Sequence, residues 1–139
     1  MKKLIYLMCL VLILSTQSWA KDVKKVQVDV LAKTSSSWNG TPLKSYAKGT
    51  PEITILKIVI PAKTKLSMHK HPYMNAGVLT KGQLTVVTID KKVLELKAGD
   101  AIVEVVDKWH YGENKGDTPA EIIVVYAGIK DKPITIIKK

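Results

Sequence analysis

The chain has 139 residues, 46% of them hydrophobic, and a formal net charge of +10. That length fits one domain with a modest core. Every basic residue is a lysine, and the lysines are scattered. Nucleic-acid readers lean on arginine forks for bases and phosphates, so no nucleic-acid partner is expected.

Lys2 and Lys3 open the chain, Leu4 to Leu14 form an apolar stretch, and Ser18-Trp19-Ala20 is a small-x-small end. Residues 1–20 therefore read as a secretory signal peptide cut after Ala20. The apolar stretch is short for a membrane span, which favours cleavage over an anchor. The expected location is periplasmic or secreted, with no membrane association once the segment is gone. The single cysteine, Cys9, leaves with it. The remaining chain, residues 21–139, is expected to rely on a sheet core rather than a disulfide. Without Lys2 and Lys3 the net charge is +8, from 20 lysines against 12 acids. That suits a soluble surface with a mild preference for anionic small molecules.

After residue 20 no helical period is sustained. Strand-like runs recur between turn signals, which argues an all-β barrel or sandwich. Residues 21–50 form an arm. In it Val26, Val28 and Val30 alternate with Gln27 and Asp29, the pattern of a half-buried strand. Residues 33–50 are polar and turn-rich, with Trp38 and Tyr46 as the exceptions. Those two aromatics are expected to pack as a lid on the barrel's outside; the alternative is an aromatic wall at its mouth. Ile53 to Ile60 is apolar on nearly both faces, as in a strand covered on both sides. Pro61 ends it. Further strands are expected around Val78, over Leu84 to Ile89, around Leu94 and Leu96, over Ala101 to Val106 and Ile122 to Tyr126, and finally over Pro133 to Ile137. With no phenylalanine, the core must be aliphatic, and a narrow barrel with room mainly at one end is expected.

The chemistry-bearing stretch is His69-Lys70-His71-Pro72-Tyr73-Met74-Asn75, closed by Gly82. Two histidines two apart in an extended strand point the same way. A second stretch, Gly99 to Asn114, carries the remaining histidine, His110. Together the two stretches resemble the paired motifs of the cupins. His69, His71, Asn75 and Gly82 fall on the first motif, where Asn75 stands in place of an acid. Gly99, His110 and Asn114 fall on the second. Lys63 replaces the leading glycine of the first motif, and Val105, Val106 and Asp107 replace the Pro-x-Gly of the second. The resemblance covers roughly residues 52–128.

It implies a single cupin β-barrel, a double-stranded β-helix of jelly-roll type, and a homodimer paired through its apolar strands. It also implies a site in which His69, His71 and His110 hold one divalent transition metal (Fe, Zn, Mn, Ni or Cu). Imidazole suits all of these, and three histidines leave positions open for water or a small-molecule ligand. For one histidine alone, a satisfied or solvent-facing residue is the plainer reading; three on the ligand positions of one motif pair tip the balance to metal. Asn75 is open between a weak fourth ligand, a group orienting a bound molecule, and a turn residue. It brings no charge, so three neutral imidazoles would leave the ion strongly Lewis acidic and attractive to anions. Acid should weaken binding as pH falls through about 6, since an unperturbed histidine titrates near ~6.5. Glu104 is either a partner of a histidine N–H or, more simply, a surface charge. Tyr73 and Met74 are placed at the pocket mouth, Lys70 outward, and Trp109 and Tyr111 on the face opposite His110. Two functions are compatible with this pattern. One is a metal-dependent enzyme on a small, anionic molecule, with oxygenase chemistry among the options the resemblance implies. The other is a non-catalytic module that binds a small ligand or a metal.

Overall fold

The computed structural model describes residues 25–139; the expected signal peptide over residues 1–20 and its expected cleavage point lie outside them. Among the described residues there are ten strands and no helix. In chain order they are β1 Pro51–Ile60, β2 Thr64–Lys65, β3 His69–Lys70, β4 Asn75–Lys81, β5 Gln83–Thr88, β6 Val93–Lys97, β7 Ala101–Val103, β8 His110–Asn114, β9 Ala120–Ile129 and β10 Ile136–Ile137. They form two antiparallel sheets, β1-β9-β4-β7 and β10-β3-β8-β5-β6, with β2 paired to β8. The architecture is an all-β barrel, as the strand rhythm predicts.

Period-two alternation builds the first sheet. β1 pairs with β9 along its whole length, from Pro51 opposite Ile129 to Ile60 opposite Ala120. Leu56, Ile58 and Ile60 turn inward with Ile122, Val124 and Tyr126 of β9. Ile53, Ile55 and Val59 turn outward and are exposed, as are Ile123 and Val125. β1 is thus covered on one face only, not two as its composition suggests. Between the sheets, Leu79, Leu84, Val86, Leu96 and Ile102 complete the core. Each such side chain contributes about 1.5–3 kcal/mol by leaving water.

The arm departs from its expected form. Val26, Val28 and Val30 join no strand and are exposed. Alternation alone cannot make a strand when no partner edge receives it. Farther on, a small loop folds on itself, with Ser36 bridged to Pro42 and Leu43 N donating to Ser35 O. Its Trp38 packs against the core, whereas Tyr46 stays exposed.

Backbone conformation explains the motif glycines and their replacements. Gly82 has φ +74°, and a Cβ there would meet Pro119 O at 2.8 Å. Gly99 sits at φ +97°. Lys63 and Asp107, which replace glycines of the resembled pattern, keep the left-handed backbone at φ +55°. For an L residue that conformation costs about 1–2 kcal/mol. The surrounding turns therefore fix the geometry even where the glycine is gone.

Asn114 closes β8 and is fully buried. Its Nδ2 donates to Ile60 O, Pro61 O and Thr118 O at 2.8–3.1 Å, and its Oδ1 accepts from Gly116 N at 3.0 Å. One side chain thereby fastens the end of β1, the end of β8 and the loop before β9.

Candidate metal centre

The three histidines meet inside the barrel. β3 and β8 place His69 opposite His110. His71 lies just past β3 and forms a lone bridge with Val106. The ring centroids are 4.5–5.1 Å apart in all three pairs. One nitrogen from each ring lies within 4.8 Å of those of the others.

Hydrogen bonds fix which nitrogen that is. His69 Nδ1 lies 2.7 Å from Ser67 O, His71 Nδ1 3.0 Å from Ile134 O, and His110 Nδ1 2.8 Å from Lys108 O. A carbonyl only accepts, so each Nδ1 carries the hydrogen and donates it. Each Nε2 is left with a free lone pair. This orients a metal-binding imidazole in the way such sites require. None of these carbonyls was evident from the ligand spacing. Two come from the residue two before the histidine, and the third comes from the segment leading into β10.

Burial keeps the trio neutral. It pulls His71 down to about 4, against the raising effect of the Ile134 carbonyl and with help from the neighbouring rings. It lowers His69, opposed by the Ser67 carbonyl, and His110, opposed by the Lys108 carbonyl. The ligands therefore stay unprotonated below the pH of about 6 expected from unperturbed histidine.

Asn75 begins β4 and is buried. Its Nδ2 makes a long 3.5 Å contact to Tyr73 O. Its Oδ1 is buried without a partner, and so is His110 Nε2. Two bare acceptors lining one cavity call for a cation or a donor from outside the protein, since each unpaired buried polar group costs about 1–3 kcal/mol. A divalent metal fits this donor set.

Glu104 corrects the sequence reading: it is not a surface charge. It follows β7, its side chain is mostly buried, and its Oε2 lies 3.7 Å from His110 Nε2. Burial pushes its carboxyl up to about 7, opposed by hydrogen bonding to Val105 N, by His69 and by the Trp38 indole. A neutral His110 and a carboxyl so raised do not form an ordinary ion pair. The missed signal was the phase of the strand, because Glu104 lies two residues after the core residue Ile102 and shares its face. The expected strand to Val106 instead ends at Val103, with Glu104 N donating to Asn75 O.

The cavity is about 330 Å³. Its polar end has the histidines, Asn75, Glu104, Tyr126 and Thr135, and its walls include Leu56, Ile58, Leu84, Val86 and Val124. The space extends into the aliphatic barrel rather than stopping at the histidines. Tyr73 and Met74 do not line it. Lys70 points away, toward Asp107 and the Trp109 ring. Tyr111 carries Lys65 over its ring.

The cupin domain family model matches residues 56–126, half of the chain. The chain belongs to the cupins. No curated protein matches it in sequence. Solved structures resemble this cupin in fold. A double-stranded β-helix protein from Klebsiella pneumoniae is 18% identical with TM-score 0.56, the match covering 83% of this chain and 99% of that one. The DMSP lyase DddQ from Ruegeria pomeroyi is 17% identical with TM-score 0.55, over 71% of this chain and 47% of the lyase. Bacillus subtilis oxalate decarboxylase, studied for its Mn(II) centres, is 21% identical with TM-score 0.52, over 61% of this chain and 23% of the enzyme. The matched part thus spans less than half of either enzyme.

Proposed function

We propose that this cupin is exported and uses His69, His71 and His110 to hold one divalent transition metal that receives a small molecule. The observation that carries the reading is the convergence of three imidazoles, with one nitrogen of each within 4.8 Å of the others and each Nδ1–H donated to a carbonyl, which leaves Nε2 free as a ligand. A bound divalent ion supplies Lewis acidity there and lowers the pKa of coordinated water. The protein's own groups shape what enters. Leu56, Ile58, Val86 and Val124 exclude water and receive an apolar body. Asn75 Oδ1, lacking a donor, accepts a hydrogen bond from the incoming molecule or adds weakly to the ion's shell. The fitting ligand is small, apolar along most of its length, and ends in a polar or anionic group. The cavity of about 330 Å³ favours a ligand-processing or ligand-binding site over mere metal storage.

A homodimer belongs to the same proposal. Ile53, Ile55 and Val59 of β1 and Ile123 and Val125 of β9 expose apolar side chains on one sheet face, and a second copy would cover them. Light scattering at micromolar concentration should give twice the chain mass; a monomer mass counts against pairing. For the site, elemental analysis of protein purified from its exported compartment should find one transition metal per chain. A metal-free preparation that also fails to take up Mn, Fe, Zn, Ni or Cu would overturn the reading.

A further inference from the structure

The family pattern puts an acid where this chain has Asn75, and another acid stands beside that position in space. Glu104 N donates to Asn75 O at 3.1 Å, so the two residues lie on neighbouring segments at the same level of the barrel. Both line the cavity that holds the histidines. We propose that Glu104 supplies the carboxylate ligand that Asn75 lacks, making a three-histidine, one-carboxylate centre with its acid moved to the end of β7. The inference rests on the metal-site reading above.

Three observations carry it. Glu104 Oε2 lies 3.7 Å from His110 Nε2, and that nitrogen is buried with no hydrogen-bond partner. A cation entering this gap would be held by both atoms, in the place of a proton. Two atoms each about 2.1 Å from one ion lie roughly 3.0–3.4 Å apart at octahedral to tetrahedral angles, so Glu104 Oε2 reaches a shared ion by moving in about a few tenths of an ångström. The residue is also held in place from behind. Ser37 Oγ donates to Glu104 O at 2.9 Å, Trp38 N donates to Val103 O at 2.9 Å, and Val105 N donates to Glu104 Oε2 at 3.3 Å. The first two fix the backbone that carries Glu104, and the third reaches the carboxylate itself, as a ligand carboxylate is characteristically braced by a hydrogen bond. The loop around Ser37 and Trp38 thereby acquires a role, as the brace behind the acid. The consequence for the ion is one negative charge more than three imidazoles and an amide provide. That weakens anion capture and favours harder ions such as Mn²⁺ or Fe²⁺.

The test measures binding rather than turnover. Wild type, Glu104→Gln, and the double variant Asn75→Glu with Glu104→Gln are titrated with Mn²⁺ and Co²⁺ against a chelator, after circular dichroism has shown that all three fold. Glu104→Gln should lose at least about tenfold in affinity, and its Co²⁺ visible spectrum should change in position and intensity. The double variant should recover most of the loss, because the carboxylate returns to the site from the neighbouring strand. Wild-type affinity in Glu104→Gln overturns the proposal. So does a weakened variant whose Co²⁺ spectrum is unchanged, since that marks a residue acting from outside the coordination shell. If wild type itself binds no metal, the site reading fails first, and the two failures are distinguishable.

Discussion

Two buried asparagines at opposite ends of β-strands show how this barrel divides its work. Asn114 is 0% exposed and spends its amide on three carbonyls and one backbone N–H. Asn75 is 4% exposed, and its Oδ1 has no partner. The same side chain is saturated at one end of the molecule and left wanting at the other. Folding selects for saturation, because each unsatisfied buried group costs about 1–3 kcal/mol. A bare acceptor beside bare imidazole nitrogens therefore points to a partner that the chain does not supply.

The sharpest way to break this contrast is to truncate both residues. Asn114→Ala leaves Ile60 O, Pro61 O and Thr118 O without their buried donor, so urea unfolding should show a loss of about 3–5 kcal/mol. A loss below ~1 kcal/mol would mean that the bracket is ornamental. Asn75→Ala removes an unpartnered Oδ1 and one long 3.5 Å contact from Nδ2 to Tyr73 O, so the metal-free protein should change by under about 1 kcal/mol.

Between these in size lies the pH response of the metal-free protein. Burial pulls folded His71 down to about 4, while an unfolded histidine titrates near ~6.5. In that window the unfolded chain binds more protons, so the histidines make stability rise with pH. His69 and His110 are lowered too and act in the same direction. Glu104 opposes them. Its folded pKa is raised to about 7, so the folded chain keeps a proton that the unfolded chain sheds between about 4.5 and 7, and stability falls as pH rises there. Glu104→Gln should therefore steepen the rise of stability from pH 4.5 to 6.5, by roughly 1–2 kcal/mol over that range. Urea midpoints at the two pH values decide it; an unsteepened variant would place the carboxyl in water.

The same contrast marks what the sequence made legible. The saturated end was readable in outline. Gly82, Gly99 and Asn114 stood at motif spacings, and their backbone and hydrogen-bond duties are local. The histidines were readable because alternation keeps His69 and His71 on one face, although β3 itself is only two residues long. Glu104 was not, because a charge beside a short strand looks solvated until its neighbours are known. Its neighbours come from far along the chain: Ser37 of the arm donates to Glu104 O, and Glu104 N donates to Asn75 O at the start of β4. The arm failed for the opposite reason. Val26, Val28 and Val30 have the alternation of a strand but no edge to pair with. A side-chain pattern states what a segment could bury, and long-range pairing decides whether it does.

The central claim is that both motif segments converge on one ion through Nε2. Its most direct test is a chelator-competition titration at pH 7 of wild type against His110→Ala. Wild type should bind one divalent metal per chain, and His110→Ala should bind at least about a hundredfold more weakly, since it loses a ligand rather than a supporting hydrogen bond. If His110→Ala binds the same metal as tightly as wild type, the two segments do not share an ion and the account is wrong.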